Sequence, residues 1–175
     1  MTNVFLTRLK SPIGRIELVG DDDAVTALSI ECEGALPHDG EPERSNDVLD
    51  AARAQLLEYF AGDRTDFDVP VRLTGTPFQQ AVWAELERLG WGEATSDGAL
   101  AAAVGKPGSA RAIGGAVGAN PIPIIVGCHR VLASDGRITG YSGGDGVPTK
   151  LWLLGHDAHA MRLGRERPRV PPLSR

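Results

Sequence analysis

Apolar and polar positions alternate along three short stretches at the start of the chain, "NVFLTRLK", "GRIELVG" and "AVTALSIE". A period of two is that of half-buried strands. A turn at Ser11-Pro12-Ile13-Gly14 joins the first two, and the acidic run Asp21-Asp22-Asp23 precedes the third. Residues 34–46 are rich in Gly, Pro and charge and are expected as loop. The period then changes: in "DVLDAARAQLLEYFAG", Leu49, Ala52, Leu56 and Phe60 share one helical face, and Gly62 stops the helix. "TDFDVPVRL" is extended. Thr76-Pro77-Phe78-Gln79 opens a second helix with a capping residue, a proline at the first helical position and a capping-box glutamine. That helix carries Phe78, Val82, Leu86 and Leu89 as its buried stripe. Two short helical segments flank Lys106-Pro107-Gly108, the layout of a helix-turn-helix. "RVLASDGRITGY" is expected as a hairpin around residues 134–136, and "PTKLWLLGHDAHAM" as the last helix. No internal repeat is visible.

The pattern divides the chain into an α/β module over residues 1–75, a mainly helical module over 76–162, and a tail over 163–175. The stretch 162–175 holds five arginines, one glutamate and three prolines, and is expected to be mobile. Charge follows the division. Seven basic and fifteen acidic residues in 1–75 give −8, eleven basic and eight acidic in 76–175 give +3, and the whole chain carries −5. The balance argues against a generic nucleic-acid binder but leaves the second module able to face an anion. With 42% hydrophobic and 23% charged residues among 175, the composition is that of a soluble globular protein. No apolar run approaches the ~20 residues of a membrane span. The N-terminus lacks a secretory layout, so the expected compartment is the cytoplasm.

Two cysteines, Cys32 and Cys128, lie far apart with no CxxC, which excludes a disulfide framework and points away from a cysteine zinc site. Cys32 with His38 is too small a set to claim zinc, although a structural zinc in the first module is not excluded. Cys128 is followed by His129 at the end of the apolar run 122–126. A thiolate is the reactive form of cysteine, and an adjacent base favours it. Neighbours on an extended chain point to opposite faces, so a bridging water is one route between the two. An acid orienting His129 would complete a relay, with Asp135, Asp145 and Asp157 as candidates. A buried structural cysteine and a Cys-His hydrolase both remain open on these residues alone. The second helix of the pair, "SARAIGGAVGAN", holds more glycine than a stable helix favours. Its small residues Ala112, Gly114 and Gly115 permit close approach, to a groove or to another helix.

"GTPFQQAVW", "ARAIGGAVGANPIPIIVGCHRV", "DGRITGYSGG" and "KLWLLGHD", in that order and spacing, resemble the O6-alkylguanine-DNA alkyltransferases. The resemblance is strong over residues 76–157 and weaker before them. It implies a ribonuclease H-like N-terminal module with a small antiparallel sheet plus helix, and a winged-helix-like C-terminal module. It implies repair by direct reversal: an alkyl group passes irreversibly from O6 of guanine in duplex DNA to Cys128, once per chain, with no cofactor. The helix-turn-helix would enter the minor groove of a monomer's DNA partner while the damaged base is flipped out. His129 would take the thiol proton through a water, and Asp157, where the family has glutamate, would orient His129. Tyr141 would donate to the leaving guanine and Ser142 to O6. The Cys128 and Val131 carbonyls would accept from the exocyclic amine. Asn120 would be a hinge and Arg111 the finger filling the gap left by the base. His156 and His159 are expected at the surface.

Three residues depart from the family pattern. Gly127 stands where proline is usual, and glycine is expected to loosen the segment or widen the pocket toward bulkier adducts. Asp157 is one methylene shorter than glutamate, so the helix must sit closer or a water must bridge. Asp97 replaces a tyrosine that presses on the target phosphate; its charge opposes a phosphate, though it suits a first helical turn. A lesion reader without transfer and a turnover enzyme are the two competing classes. Retention of Cys128 argues against the first, and multiple turnovers would reveal the second.

Overall fold

A computed structural model describes residues 3–89, 92–138 and 140–166. Strands β1 (Phe5–Ser11), β2 (Gly14–Gly20) and β3 (Val25–Ile30) form an antiparallel sheet in that order. Gly14, at φ 105°, closes the first turn where Ser11 pairs with it. Leu9, Ile16, Leu18 and Leu28 are buried, as the alternation requires. Helix α1 (Asp47–Phe60) lies on the sheet through buried Leu49, Ala52 and Leu56, and Phe60 is partly buried. Asn46 caps it, accepting from Leu49 N at 3.0 Å and donating to the Asp21 carbonyl at 2.9 Å, so the cap also ties the helix to the β2–β3 turn. Residues 34–46 are irregular, as expected, joined to β1 by a Leu6–Arg44 bridge. The extended segment after α1 pairs only at Val71, beside Val25.

Gly75 leads into the second module where no side chain fits: a Cβ there would sit 2.6 Å from the Trp83 ring. Helix α2 (Pro77–Glu87) has the complete capping box of Thr76 and Gln79. Its buried positions are Val82, Trp83 and Leu86, while Phe78 and Leu89 are only partly covered. Trp83 takes the central place because its indole N–H donates to the Ala116 carbonyl at 2.9 Å, a partner that a buried tryptophan requires. Helices α3 (Asp97–Ala103) and α4 (Ala110–Gly118) form the expected pair, with Ile113 and Ala116 facing inward. Strand β4 (Thr95–Ser96) pairs in parallel with β5 (Val131–Leu132). The turn at 134–136 is present, with Ala133 N bonded to the Arg137 carbonyl at 3.0 Å. β5 also pairs with the residues just ahead of α3, which ties the helix pair to the cysteine segment.

The last helix, α5 (Val147–Glu166), runs past the boundary placed at residue 162. The rest of the arginine-rich tail lies outside the described residues. Among the described residues no helix is long and apolar enough to cross a membrane. The two modules meet at β3, where Leu28 N donates to the Pro121 carbonyl at 2.9 Å, and where α1 faces α5.

Candidate active site

After α4 the chain turns sharply. Asn120 receives Ile122 N at 3.0 Å and donates to the Val126 carbonyl at 2.9 Å, closing a compact loop with its own side chain. Inside the loop, buried Ile124 adopts φ 75°, a costly conformation for a β-branched residue. The loop delivers Cys128, His129 and Arg130 as a single 3-10 turn. Cys128 is 4% exposed and His129 fully buried.

His129 Nε2 lies 2.8 Å from Asp157 Oδ2, and Asp157 is 3% exposed. The shorter aspartate reaches the imidazole directly, with no bridging water needed. The same carboxylate accepts from Arg130 Nε at 3.1 Å and from the Tyr59 hydroxyl at 2.7 Å. Burial opposes the Asp157 charge, but the His129 bond, the Arg130 charge and the Tyr59 phenol outweigh it and hold the carboxyl at about 2. Burial also holds His129 below its ordinary value despite Asp157. At neutral pH the pair is therefore carboxylate and neutral imidazole. The carboxylate requires Nε2 to carry the proton, which leaves Nδ1 as the basic nitrogen. Nδ1 has no hydrogen-bond partner among the described residues.

Burial pushes the Cys128 thiol up, while the Asn120 and Tyr141 side chains and, more distantly, the Lys150 ammonium favour the thiolate. The Tyr141 phenol is buried without a partner of good geometry among the described residues. Burial and the nearby Cys128 sulfur raise it strongly, so it stays protonated and able to donate. Tyr141, Ser142, Asp97 and Gly114 border one cleft of about 320 Å³. Cys128, Asn120 and Ser142 border a second, of about 470 Å³, whose far wall is the N-terminal segment around Cys32 and Leu36. Ser142 donates its hydroxyl to the Gly118 carbonyl at 2.9 Å, which joins this loop to α4. The Val131 carbonyl accepts from Lys150 Nζ at 2.6 Å, and the Cys128 carbonyl from Val131 N. Each keeps a second lone pair.

Arg111, Ala112, Gly114 and Gly115 are exposed together on α4. A Cβ at Gly114, Gly115 or Gly118 would meet nothing within 4 Å. Packing within the protein therefore does not require glycine there. Asp97 sits in the first turn of α3, capped by Ser96, and also borders the cleft beside Lys150; burial raises its carboxyl.

Gly127 behaves otherwise than its type suggests. Its φ of −74° is one that proline also adopts, and Arg130 covers it, with Nη1 3.0 Å from where a Cβ would be. It borders a separate cleft with Leu86 and Arg130, away from Tyr141 and Ser142. Glycine here does not widen the space around Cys128 toward larger adducts. His156 is half-buried and engaged: its Nε2 meets the Tyr59 carbonyl at 2.6 Å and its ring stacks on Trp152. His159 is exposed. Cys32 is exposed and His38 Nδ1 is engaged by Glu17 at 2.5 Å; among the described residues no group of three or more His, Cys, Asp or Glu is placed to hold a metal.

The sequence missed Tyr59, Arg130 and Lys150. Lys150 had a signal, since residues 150, 153 and 157 share one face of α5. Arg130 was visible only as a member of the triplet. Nothing local marked Tyr59, 98 residues from its partner.

Family comparisons decide what this arrangement belongs to. Residues 77–159 match the model for the 6-O-methylguanine DNA methyltransferase DNA-binding domain, and residues 4–73 match that for its ribonuclease-like domain. The chain is a member of the 6-O-methylguanine DNA methyltransferase family. The Mycobacterium bovis methylated-DNA–protein-cysteine methyltransferase is 45% identical over 141 residues, 78% of this chain and 82% of that protein. The constitutive Bacillus subtilis enzyme is 39% identical over 156 residues, 86% of this chain and 93% of its own. A crystal structure of the Mycobacterium tuberculosis OGT in complex with DNA superposes with a TM-score of 0.78 at 40% identity, covering 87% of this chain and 92% of that one. This methyltransferase acts on DNA, moving an alkyl group from O6 of guanine to one of its own cysteines in a direct-reversal repair.

Proposed function

We propose that Cys128 is the alkyl acceptor and that His129 and Asp157 activate it. The observation that carries this is the buried His129–Asp157 bond next to the cysteine, which fixes the tautomer of the base. The thiol proton passes to His129 Nδ1 through one water. The sulfur lone pair then attacks the alkyl carbon in line, forming the C–S bond as the C–O6 bond breaks. The C–O6 electron pair goes to guanine, which gains a ring proton from the Tyr141 phenol; His129 returns its proton to Tyr141 by way of solvent. The balance is thiol plus O6-alkylguanine giving thioether plus guanine, and no cofactor enters it. The second lone pairs of the Cys128 and Val131 carbonyls accept from the exocyclic amine. Ser142 lines the pocket as a donor to O6 and ties it to α4.

The exposed face of α4 enters the minor groove, with Ala112, Gly114 and Gly115 against the sugar-phosphate edge. Arg111 fills the stack behind the flipped base. Asn120 is the hinge between α4 and Cys128. Residues 1–75 and 76–162 act as the two modules of a cytoplasmic monomer. Intact-protein mass after incubation with a duplex carrying O6-methylguanine tests the assignment. One added methyl group per chain, absent from Cys128→Ser, supports it; methylation that survives in Cys128→Ser refutes it.

A further inference from the structure

Tyr59 belongs to α1, in the N-terminal module, yet its hydroxyl donates to Asp157 Oδ1 at 2.7 Å in a buried environment. The other carboxylate oxygen carries the two bonds from the catalytic turn, His129 and Arg130. Rotation of the carboxylate about its terminal torsion would lift Oδ2 from His129, and such torsions are soft. A donor on Oδ1 blocks that rotation. Tyr59 is itself held from several sides. Its carbonyl meets His156 Nε2 at 2.6 Å, and its ring packs edge-on against His156 with centroids 4.9 Å apart. Phe60 and Phe67 complete the shell, at 5.3 and 5.5 Å. Two consecutive residues of α5, His156 and Asp157, are thus both gripped by one residue of α1.

We infer that Tyr59 is a positioning residue for alkyl transfer, locking Asp157 so that His129 keeps its basic nitrogen toward Cys128, and that the N-terminal module thereby takes part in the chemistry. The inference rests on the assignment of His129 and Asp157 as the activating pair. The phenol also draws charge from the carboxylate. Without it, Asp157 holds a fuller charge beside His129 and stabilises the imidazolium more, so His129 would titrate higher.

The test is single-turnover transfer from an O6-methylguanine duplex, from about pH 5 to 9, in the full chain. Tyr59→Phe should slow transfer roughly tenfold, since it disturbs the base without removing it. The acid limb of its profile should move to higher pH, and lesion affinity in a Cys128→Ser background should stay within roughly twofold. A merely structural loss would lower the rate equally at every pH, or weaken binding in proportion; either result, or an unchanged rate, overturns the inference. Site-specific 3-fluorotyrosine at position 59 retains the shape and strengthens the donor. It should move the acid limb the other way, and no movement counts against the inference even if Tyr59→Phe folds poorly. His129→Asn separates the two levels. If it leaves the wild-type profile intact, the activating pair is wrong; if it abolishes the limb while both Tyr59 changes do nothing, only the role of Tyr59 fails.

Discussion

Glycines 114 and 115 occupy the middle of a nine-residue helix, where glycine is unfavourable. Neither has positive φ, and a Cβ at either would meet nothing within 4 Å. In the free protein, Gly114→Ala with Gly115→Ala should therefore stabilise α4 without a clash. At roughly 0.8–1.0 kcal/mol for each position, the pair contributes about 1.6–2 kcal/mol. For a chain of this size that raises the melting temperature by about 3 to 8 °C, readable by circular dichroism. Such a gain left unused requires a reason outside the free protein, and the proposed approach of DNA to this face would supply it. Binding to a lesion duplex, followed by fluorescence anisotropy in a Cys128→Ser background, should weaken by roughly tenfold, equivalent to about 1.4 kcal/mol. Gly114 also borders the cleft of Tyr141 and Ser142, so its single substitution should slow transfer more than that of Gly115. A stabilised double variant with unchanged DNA affinity would refute the placement of this face on DNA. A melting temperature that stays level or falls would refute the account of the helix itself.

Asp157→Asn should lower the single-turnover rate by roughly 10²- to 10³-fold, because a neutral amide no longer dictates the His129 tautomer; loss below tenfold would argue against the relay. In the wild type, His129 is held below its ordinary value by burial, so the acid limb of transfer measured against pH should lie below pH ~6.5. The same shift has a sign for stability: the unfolded chain binds the His129 proton more readily, so denaturant unfolding should show stability falling as pH drops from about 6.5. Asp97→Tyr removes a carboxylate from the cleft it shares with Tyr141 and Ser142 and should tighten binding to duplex at low salt, with the difference shrinking as salt rises; equal affinity at all salts would place Asp97 away from phosphate. Trp83→Phe forfeits the bond to the Ala116 carbonyl and leaves that acceptor buried, so chemical denaturation should show a loss of about 1–3 kcal/mol.

Much of this protein is written locally. The alternation in β1 to β3, the Asn46 and Thr76 caps and the inward stripe of α1 are patterns among residues only a few positions apart, so they can be read without the rest of the chain, although packing supplies much of their stability. The cysteine-histidine segment with its flanking motifs likewise carries the family resemblance in contiguous residues. The choice of acid was different. Residue type and spacing alone left Asp135, Asp145 and Asp157 open as partners for His129, and only the family resemblance pointed to Asp157. The fold leaves Asp135 exposed and paired with Arg137, leaves Asp145 exposed, and buries only Asp157 against the imidazole. Gly127 shows the same limit from the other side: its residue type says nothing of the Arg130 side chain that covers it. The partner of β5 and the bond from Tyr59 to Asp157 likewise join segments far apart along the chain. Sequence by itself determined most of the segments that become helices and strands, and which family they compose, and through that resemblance it pointed to Cys128. Only tertiary structure decided which carboxylate is dehydrated beside the base and what holds it there, because burial and hydrogen-bond geometry are set by where the chain closes on itself, and nearest neighbours in sequence do not contain that information.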